Sequence, residues 1–220
     1  MIALCLEHHK KADYGAYTKD QLHHFKEQAS NRFRKVRGTF DWMRHKLLAV
    51  VGGNFYYETP ILFQYYGTPI IWFERDQQEH LLLNIDLLAI SSKLMLQMRN
   101  NIWQVYGNPD DIECPPSGKK IHVKYESGDN VRIEFVDVES ASKFQRKYSD
   151  APAPPVGIHF PLVIVEVGMT IGEANLQFGP KKTLLNTNTY SGNWVKNAPA
   201  ALWLHDKGIG LGGLPSSSQK

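Results

Sequence analysis

Residues Ile121–Phe135 read IHVKYESGDNVRIEF, and this stretch decides the fold class because its apolar and polar residues alternate on either side of a turn. Alternation with a period of two buries one face of an extended strand and leaves the other in water. The central tetrapeptide, Ser127–Asn130, is typical of a hairpin turn. We therefore predict an antiparallel β-hairpin with one solvated face over these residues.

Other apolar runs of strand length, separated by turn residues, lie before and after this hairpin. A short helix is predicted between the runs, followed by a stiff Pro-rich linker. The predicted strands lie in Pro60–Gly67, Pro69–Asp76, Leu81–Ile90, Leu94–Met98 and Pro161–Val167, the helix in Ser140–Tyr148 and the linker in Ala151–Pro155. Asn84 falls inside an apolar run, so its amide should be satisfied by a neighbouring turn.

The sequence thus predicts a mainly β protein with an N-terminal α segment. The C-terminal domain is expected to be an antiparallel meander or sandwich, or a β-solenoid, since Asn186–Asn197 has the Asn-rich composition of stacked coils. We expect a motif-bearing segment, a basic helical connector, a β domain with a sub-boundary, and a disordered tail. Their limits are residues 1–30, 31–48, 49–207 with the sub-boundary at 150–156, and 208–220.

The α segment is predicted from a capping box at Thr18–Gln21, in which the Thr hydroxyl and the Gln side chain satisfy free amides of the first turn. Apolar residues then recur at intervals of three and four from Leu22 to Val36, which indicates one helical stripe. Gly38 is placed to end this helix.

The composition favours a packed globular protein, because 42% of the 220 residues are hydrophobic. No apolar run approaches the roughly twenty residues of a membrane helix, and the start of the chain lacks the pattern of a secretion signal. Cys5 and Cys114 lie far apart and indicate no disulfide framework. A cytoplasmic location without membrane contact fits these features.

The positive charge is concentrated at the N-terminal end. Residues 1–50 carry ten Lys and Arg against five Asp and Glu, whereas the remainder carries 15 against 17. In Asn31–Lys46, cations alternate with aromatic rings, which suits a phosphate track with stacking, or else a solvated face whose rings pack on the β domain. We expect weak, non-specific DNA binding. The candidate contacts are Lys10, Lys11, Arg32, Arg34, Lys35 and Arg37.

The segment Cys5–Asp13, CLEHHKKAD, is the part of the chain whose residues suggest site chemistry. Cys5 and His8 have the spacing of a metal-ligand pair, and His9 offers a second imidazole. Sulfur and imidazole together suit zinc, whereas an exposed imidazole beside phosphate can share a harder ion such as magnesium. A surface loop without a metal is the alternative.

The longer stretch Ala3–Thr18, ALCLEHHKKADYGAYT, resembles the last third of the HNH (His-Me finger) endonuclease motif. In that family the motif is a β-hairpin followed by a helix, which holds one divalent ion against the scissile phosphate. The resemblance implies that His9 binds the catalytic Mg or Mn ion. It also implies that Cys5 and His8 match the second half of a structural zinc pair.

The resemblance covers only about the first thirty residues, and the family's general-base His and central Asn precede the matched part. Met1 stands four residues before Cys5, so we expect this chain to hold half of an active site. The expected function is the C-terminal portion of an HNH-type metal-dependent DNA endonuclease that is not catalytically competent as this chain. The alternative is a non-catalytic β-rich interaction module with a vestigial nuclease end and an unknown protein partner.

Overall fold

A computed structural model of the chain describes residues 13, 18, 19, 22, 23, 36–39 and 45–212, apart from 89–93, 116–118, 173–174 and 206–207. For residues 36–39, 208, 209 and 211 it describes the backbone alone. The described part is mainly β, as the sequence predicts.

The strands are short and follow one another closely along the chain. In order they are β1 (Val36–Thr39), β2 (Leu48–Val51), β3 (Asn54–Tyr57), β4 (Ile61–Tyr65), β5 (Thr68–Arg75), β6 (Leu81–Leu88), β7 (Leu94–Arg99), β8 (Ile102–Val105), β9 (Asp111–Glu113), β10 (Lys120–Lys124), β11 (Asn130–Val138), β12 (Leu162–Ile171), β13 (Leu176–Phe178), β14 (Thr183–Leu185), β15 (Asn188–Tyr190), β16 (Trp194–Lys196), β17 (Ala200–His205) and β18 (Gly208–Leu211). Helix α1 (Ala141–Lys147) lies between β11 and β12.

The strands form two sheets. The first has the order β1-β8-β7-β6-β5-β4-β17-β18, in which β4 to β8 make an antiparallel meander and β17 joins β4 in parallel. The second runs β15-β14-β13-β12-β11-β10-β9, and β2, β3 and β16 extend it. Strand β12 pairs with β11 along one edge, and its other edge is shared by β2 at Ile164–Val167 and by β13 at Met169–Ile171.

The two sheets pack face to face, because alternate residues of each contribute to one continuous apolar core. The rings of Phe63 in the first sheet and Phe178 in the second are 5.2 Å apart, edge to face. The hydroxyl of Tyr125 donates to the carbonyl of Met95 across the sheets at 2.6 Å. The architecture is therefore a sandwich and not a solenoid.

Helix α1 covers part of the outer face of the second sheet. Ser140 caps its start by accepting from the amide of Lys143 at 3.2 Å, which agrees with the helix predicted at Ser140–Tyr148. Phe144 is fully buried against Phe55 and Trp194, at ring distances of 5.5 and 5.7 Å. This second, smaller core fixes the helix on the sheet.

Two local predictions are confirmed in detail. Strands β10 and β11 form the expected hairpin, with Lys124 opposite Asn130 at the turn. Asn84 is buried, and its side-chain oxygen accepts from the amide of Asn100 at 3.0 Å. Its side-chain nitrogen donates to the carbonyl of Leu82 at 3.1 Å, so the turn does satisfy this amide.

The N-terminal helix begins as predicted but does not extend as far. Lys19, Leu22 and His23 are helical, and the amide of Leu22 donates to the carbonyl of Thr18 at 3.0 Å. The prediction of a helical connector over 31–48 is wrong for Val36–Thr39, which form β1 and pair with β8. Strand pairing outweighs the helical spacing here, because β1 provides hydrogen-bond partners for the backbone N–H and C=O groups at the free edge of β8.

The predicted sub-boundary and tail are also corrected. Strands on both sides of 150–156 share sheets, as β12 pairs with β11 and β17 with β4, so no boundary divides the sandwich there. The segment itself is anchored, since the indole of Trp194 donates to the carbonyl of Pro152 at 3.2 Å. Residues Gly208–Leu211, predicted as disordered, form β18 beside β17.

The glycine content of the tail explains why its strand was missed. A Cβ atom on Gly210 would lie 2.0 Å from the ring of Trp203, so only glycine lets β18 lie flat against this indole. By composition the segment has too few apolar side chains to be expected to fold. In the structure it is the backbone of Gly210, and not a side chain, that packs against the Trp203 ring.

Candidate functional site

Most of the residues predicted from the nuclease-like motif and the basic segment lie outside the described part of the chain. These are Cys5, His8, His9, Lys10, Lys11, Arg32, Arg34 and Lys35. Arg37 is described by its backbone alone, opposite Gln104 in the pairing of β1 with β8. Their roles in binding metal and DNA therefore stay predictions.

The chemistry of the described residues limits what the sandwich can do by itself. Over the ranges that the structure describes, no group of three or more His, Cys, Asp or Glu side chains is arranged to hold a metal ion. Cys114 is a free, exposed thiol. No helix in the same ranges is long and apolar enough to cross a membrane.

The best candidate site is a cleft of about 570 Å³ on the outer face of the second sheet. One wall is the C-terminal end of α1 with residues Tyr148–Ala151, and the other is formed by the turn Gly179–Lys181 together with Ser191 and Gly192. Strands β10 to β13 make the floor. The cleft exists because α1 covers only part of this face.

A row of three residues crosses the floor. His122, Arg132 and Gly168 are directly opposite one another on β10, β11 and β12 and so point to the same face. Gly168 adds no side chain to this row. A Cβ atom at this position would lie 3.8 Å from the Cβ of Arg132 and 3.4 Å from the carbonyl oxygen of Phe178. The missing side chain deepens the cleft at its centre.

A carboxylate is held firmly at the helix side of the cleft. Glu166 accepts a hydrogen bond from the hydroxyl of Tyr148 and lies 3.1 Å from the ammonium of Lys147. Burial raises the pKa of Tyr148 far above its ordinary value, and the charge of Glu166 raises it further. Tyr148 therefore stays protonated and acts as a fixed donor.

Glu166 stands directly opposite Glu134 on the neighbouring strand. Like charges in this position repel, so each needs its own counter-ion. Arg132 pairs with Glu134, and that contact raises the pKa of the guanidinium, while Lys147 neutralises Glu166. Glu134 and Glu166 are thus each engaged in an ion pair with a cation, and the two carboxylates are not arranged for acid-base catalysis.

The imidazole of His122 is neutral in this environment. Burial lowers its pKa, and the nearby charges of Lys124 and Lys120 lower it further. Glu113, which lies opposite His122, is taken up by a 2.6 Å ion pair with Lys120 that lowers the pKa of the carboxyl. His122 therefore presents a neutral donor and acceptor to the cleft.

An ion pair spans the mouth of the cleft. Lys181, on the turn between β13 and β14, contacts Asp150, which follows α1, at 2.6 Å. The hydrogen bond from Lys181 lowers the pKa of Asp150. Both side chains are exposed, at 74% and 67%, so water screens the contact and a ligand can displace it without a large penalty.

Taken together, the cleft offers three cations, two paired carboxylates, a Tyr hydroxyl and a neutral imidazole. This set can bind a polar ligand by hydrogen bonds and charge. Sequence reasoning missed these residues because they meet only through the pairing of β11 with β12 and through the packing of α1. Gly168, inside the apolar run of β12, was the one local signal.

No family model, curated protein sequence or solved structure matches this chain.

Proposed function

We propose that the chain is the C-terminal part of an HNH-type metal-dependent DNA endonuclease, in which strands β1 to β18 form an accessory sandwich. The observation that carries this proposal is the segment Ala3–Thr18, with its doubled His and Asp-x-Gly. The amide of Leu22 donates to the carbonyl of Thr18, so a helical turn follows the segment, and Asp13 inside the segment is also helical.

In this proposal the N-terminal segment carries the chemistry. His9 binds a Mg or Mn ion against the scissile phosphate, and Cys5 and His8 contribute to a structural zinc site. The family's water-activating His and its Asn precede the matched part of the motif, and the proposal assigns neither role to a residue of this chain. The 220-residue chain therefore binds DNA without cutting it at a useful rate.

DNA affinity tests the proposal on this chain directly. Fluorescence anisotropy with a labelled duplex should show weak binding that is independent of sequence and falls steeply with salt, because the contacts are to phosphate. Replacing Arg32, Arg34, Lys35 and Arg37 by Gln should abolish the binding. The matched control replaces Lys119, Lys120, Lys124 and Lys143 of the sandwich by Gln, and should leave the affinity unchanged.

A second candidate function, a non-catalytic interaction module, is favoured by the cleft. Its cations Arg132, Lys147 and Lys181 alternate with the carboxylates Asp150 and Glu166, which suits a polar peptide of mixed charge better than a polyanion. The test is selection of displayed peptides against the chain, with counter-selection against Gly168→Leu, whose side chain would fill the floor. Peptides that bind both proteins equally would contradict a role for the cleft.

A further inference from the structure

Two histidines lie side by side at the edge of the sandwich, away from the cleft. His45 comes just before β2, and His80 ends the turn between β5 and β6. Their ring centroids are 4.6 Å apart, and the ring planes are inclined by 32°. The fold thus brings two imidazoles from distant parts of the chain to one place.

In each of the two rings, the Nδ1 atom is the one that makes a hydrogen bond. The Nδ1 atom of His80 is 3.1 Å from a carboxylate oxygen of Asp76, and the Nδ1 atom of His45 is 3.3 Å from the backbone carbonyl oxygen of Glu79. Both partners only accept hydrogen bonds, so each Nδ1 carries the proton, and the Nε2 atom of each neutral ring keeps a lone pair. Proteins orient metal-binding histidines in this way.

The partners of the two rings are themselves fixed. The second oxygen of Asp76 accepts from the backbone amides of Gln78 and His80, each at 2.8 Å. These two bonds fix the orientation of the carboxyl group toward the His80 ring. Asp76 is therefore an oriented acceptor.

Arg75 fixes the other side of the pair. Its guanidinium donates to the carbonyl of His45 at 2.6 Å and to the carbonyl of Glu79 at 3.0 Å, and it forms a 2.7 Å ion pair with Glu58. This arrangement joins the segment before β2 to the turn after β5. The position of His45 relative to His80 is consequently set by several bonds.

Several carboxylates lie around the pair. They are those of Glu58, Asp76 and Glu79, with the guanidinium of Arg75 among them, and Arg44 and Lys46 are the neighbours of His45 in the sequence. The carboxylate of Glu79 is 73% exposed and only 3.8 Å from the guanidinium, so it is the least constrained acid of the group.

We propose that His45 and His80 bind a divalent transition-metal ion of the zinc class through their Nε2 atoms. Asp76 and the carbonyl of Glu79 act as positioning groups, and water completes the coordination. Imidazole nitrogen selects Zn²⁺ or a similar ion over Mg²⁺, which prefers oxygen. The ion clamps the segment before β2 to the turn after β5, whether or not the chain belongs to a nuclease.

Isothermal titration with Zn²⁺ tests this site on the full chain. The other predicted ligands are removed first with a Cys5→Ala, His8→Ala, His9→Ala background. This protein should bind one Zn²⁺ and give no heat with Mg²⁺. Adding His45→Ala or His80→Ala should abolish the binding. Asp76→Asn should weaken it by about 10- to 100-fold, as expected for a group that orients a ligand.

The control is His159→Ala, which removes an exposed imidazole elsewhere on the sandwich and should leave the titration unchanged. Circular dichroism of each variant checks that the fold is kept, and Zn²⁺ should raise the melting temperature of the background but not of its His80→Ala derivative. No binding by the background protein, or equal binding after His80→Ala, would overturn the proposal.

Discussion

Replacing Phe144 by Ala should detach helix α1 and damage the wall of the cleft. Phe144 is fully buried, and its ring lies 4.9 Å from Tyr148, 5.5 Å from Phe55 and 5.7 Å from Trp194. Truncation of a buried Phe costs about 3–5 kcal/mol of stability. We expect the upper half of this range, because four aromatic neighbours, with Phe160 at 6.0 Å, lose their contacts together.

Urea denaturation followed by tryptophan fluorescence measures this loss, and Trp194 reports on the site directly. Phe144→Leu, which keeps most of the volume, should cost less than about 1.5 kcal/mol. Val156→Ala is the exposed control, since this side chain is 98% exposed, and it should change stability by less than about 0.5 kcal/mol. A loss below about 1 kcal/mol for Phe144→Ala would refute the view that α1 is held by a second core.

Three further predictions concern the sandwich. Asn84→Ala leaves the amide of Asn100 without its acceptor and should cost about 1–3 kcal/mol in urea denaturation, whereas Asn188→Ala, at an exposed position of β15, should cost less than about 0.5 kcal/mol. Gly210→Ala should displace β18, because the new Cβ would lie 2.0 Å from the Trp203 ring, and hydrogen exchange would then show faster exchange at Gly208–Leu211 only. The pKa of Glu113 is lowered in the folded protein by its bond with Lys120, so stability from this pair is present above the ordinary pKa of 4.5 and is lost as the pH falls through the folded value. Glu113→Gln should flatten the acid limb of a plot of melting temperature against pH, and an unchanged limb would mean that the pair contributes nothing.

Local patterns predicted the parts of the fold whose partners are close in sequence. The hairpin around Ser127–Asn130 and the helix capped by Ser140 needed only alternation, turn chemistry and capping. The amide of Asn84 was placed correctly because a buried polar group requires a partner nearby.

Pairings between distant segments could not be predicted in the same way. The parallel contacts of β2 with β12, β4 with β17 and β3 with β16 join parts of the chain with no common local signal. The cleft depends on these contacts, because Asp150 and Lys181 meet only after β12 and β13 are in place. Sequence alone therefore predicts the β class and its local hairpin and helix, but neither the choice of a sandwich nor its site.

The most direct test of the nuclease proposal is a plasmid-nicking assay with Mg²⁺ or Mn²⁺ on the chain extended at its N-terminus by the first part of an HNH motif, which supplies the family's general-base His and Asn. We expect metal-dependent nicking by the extended protein, its loss in His9→Ala, and no useful rate from the 220-residue chain. An extended protein that does not cut DNA, or cutting that survives His9→Ala, would contradict the proposed nuclease function.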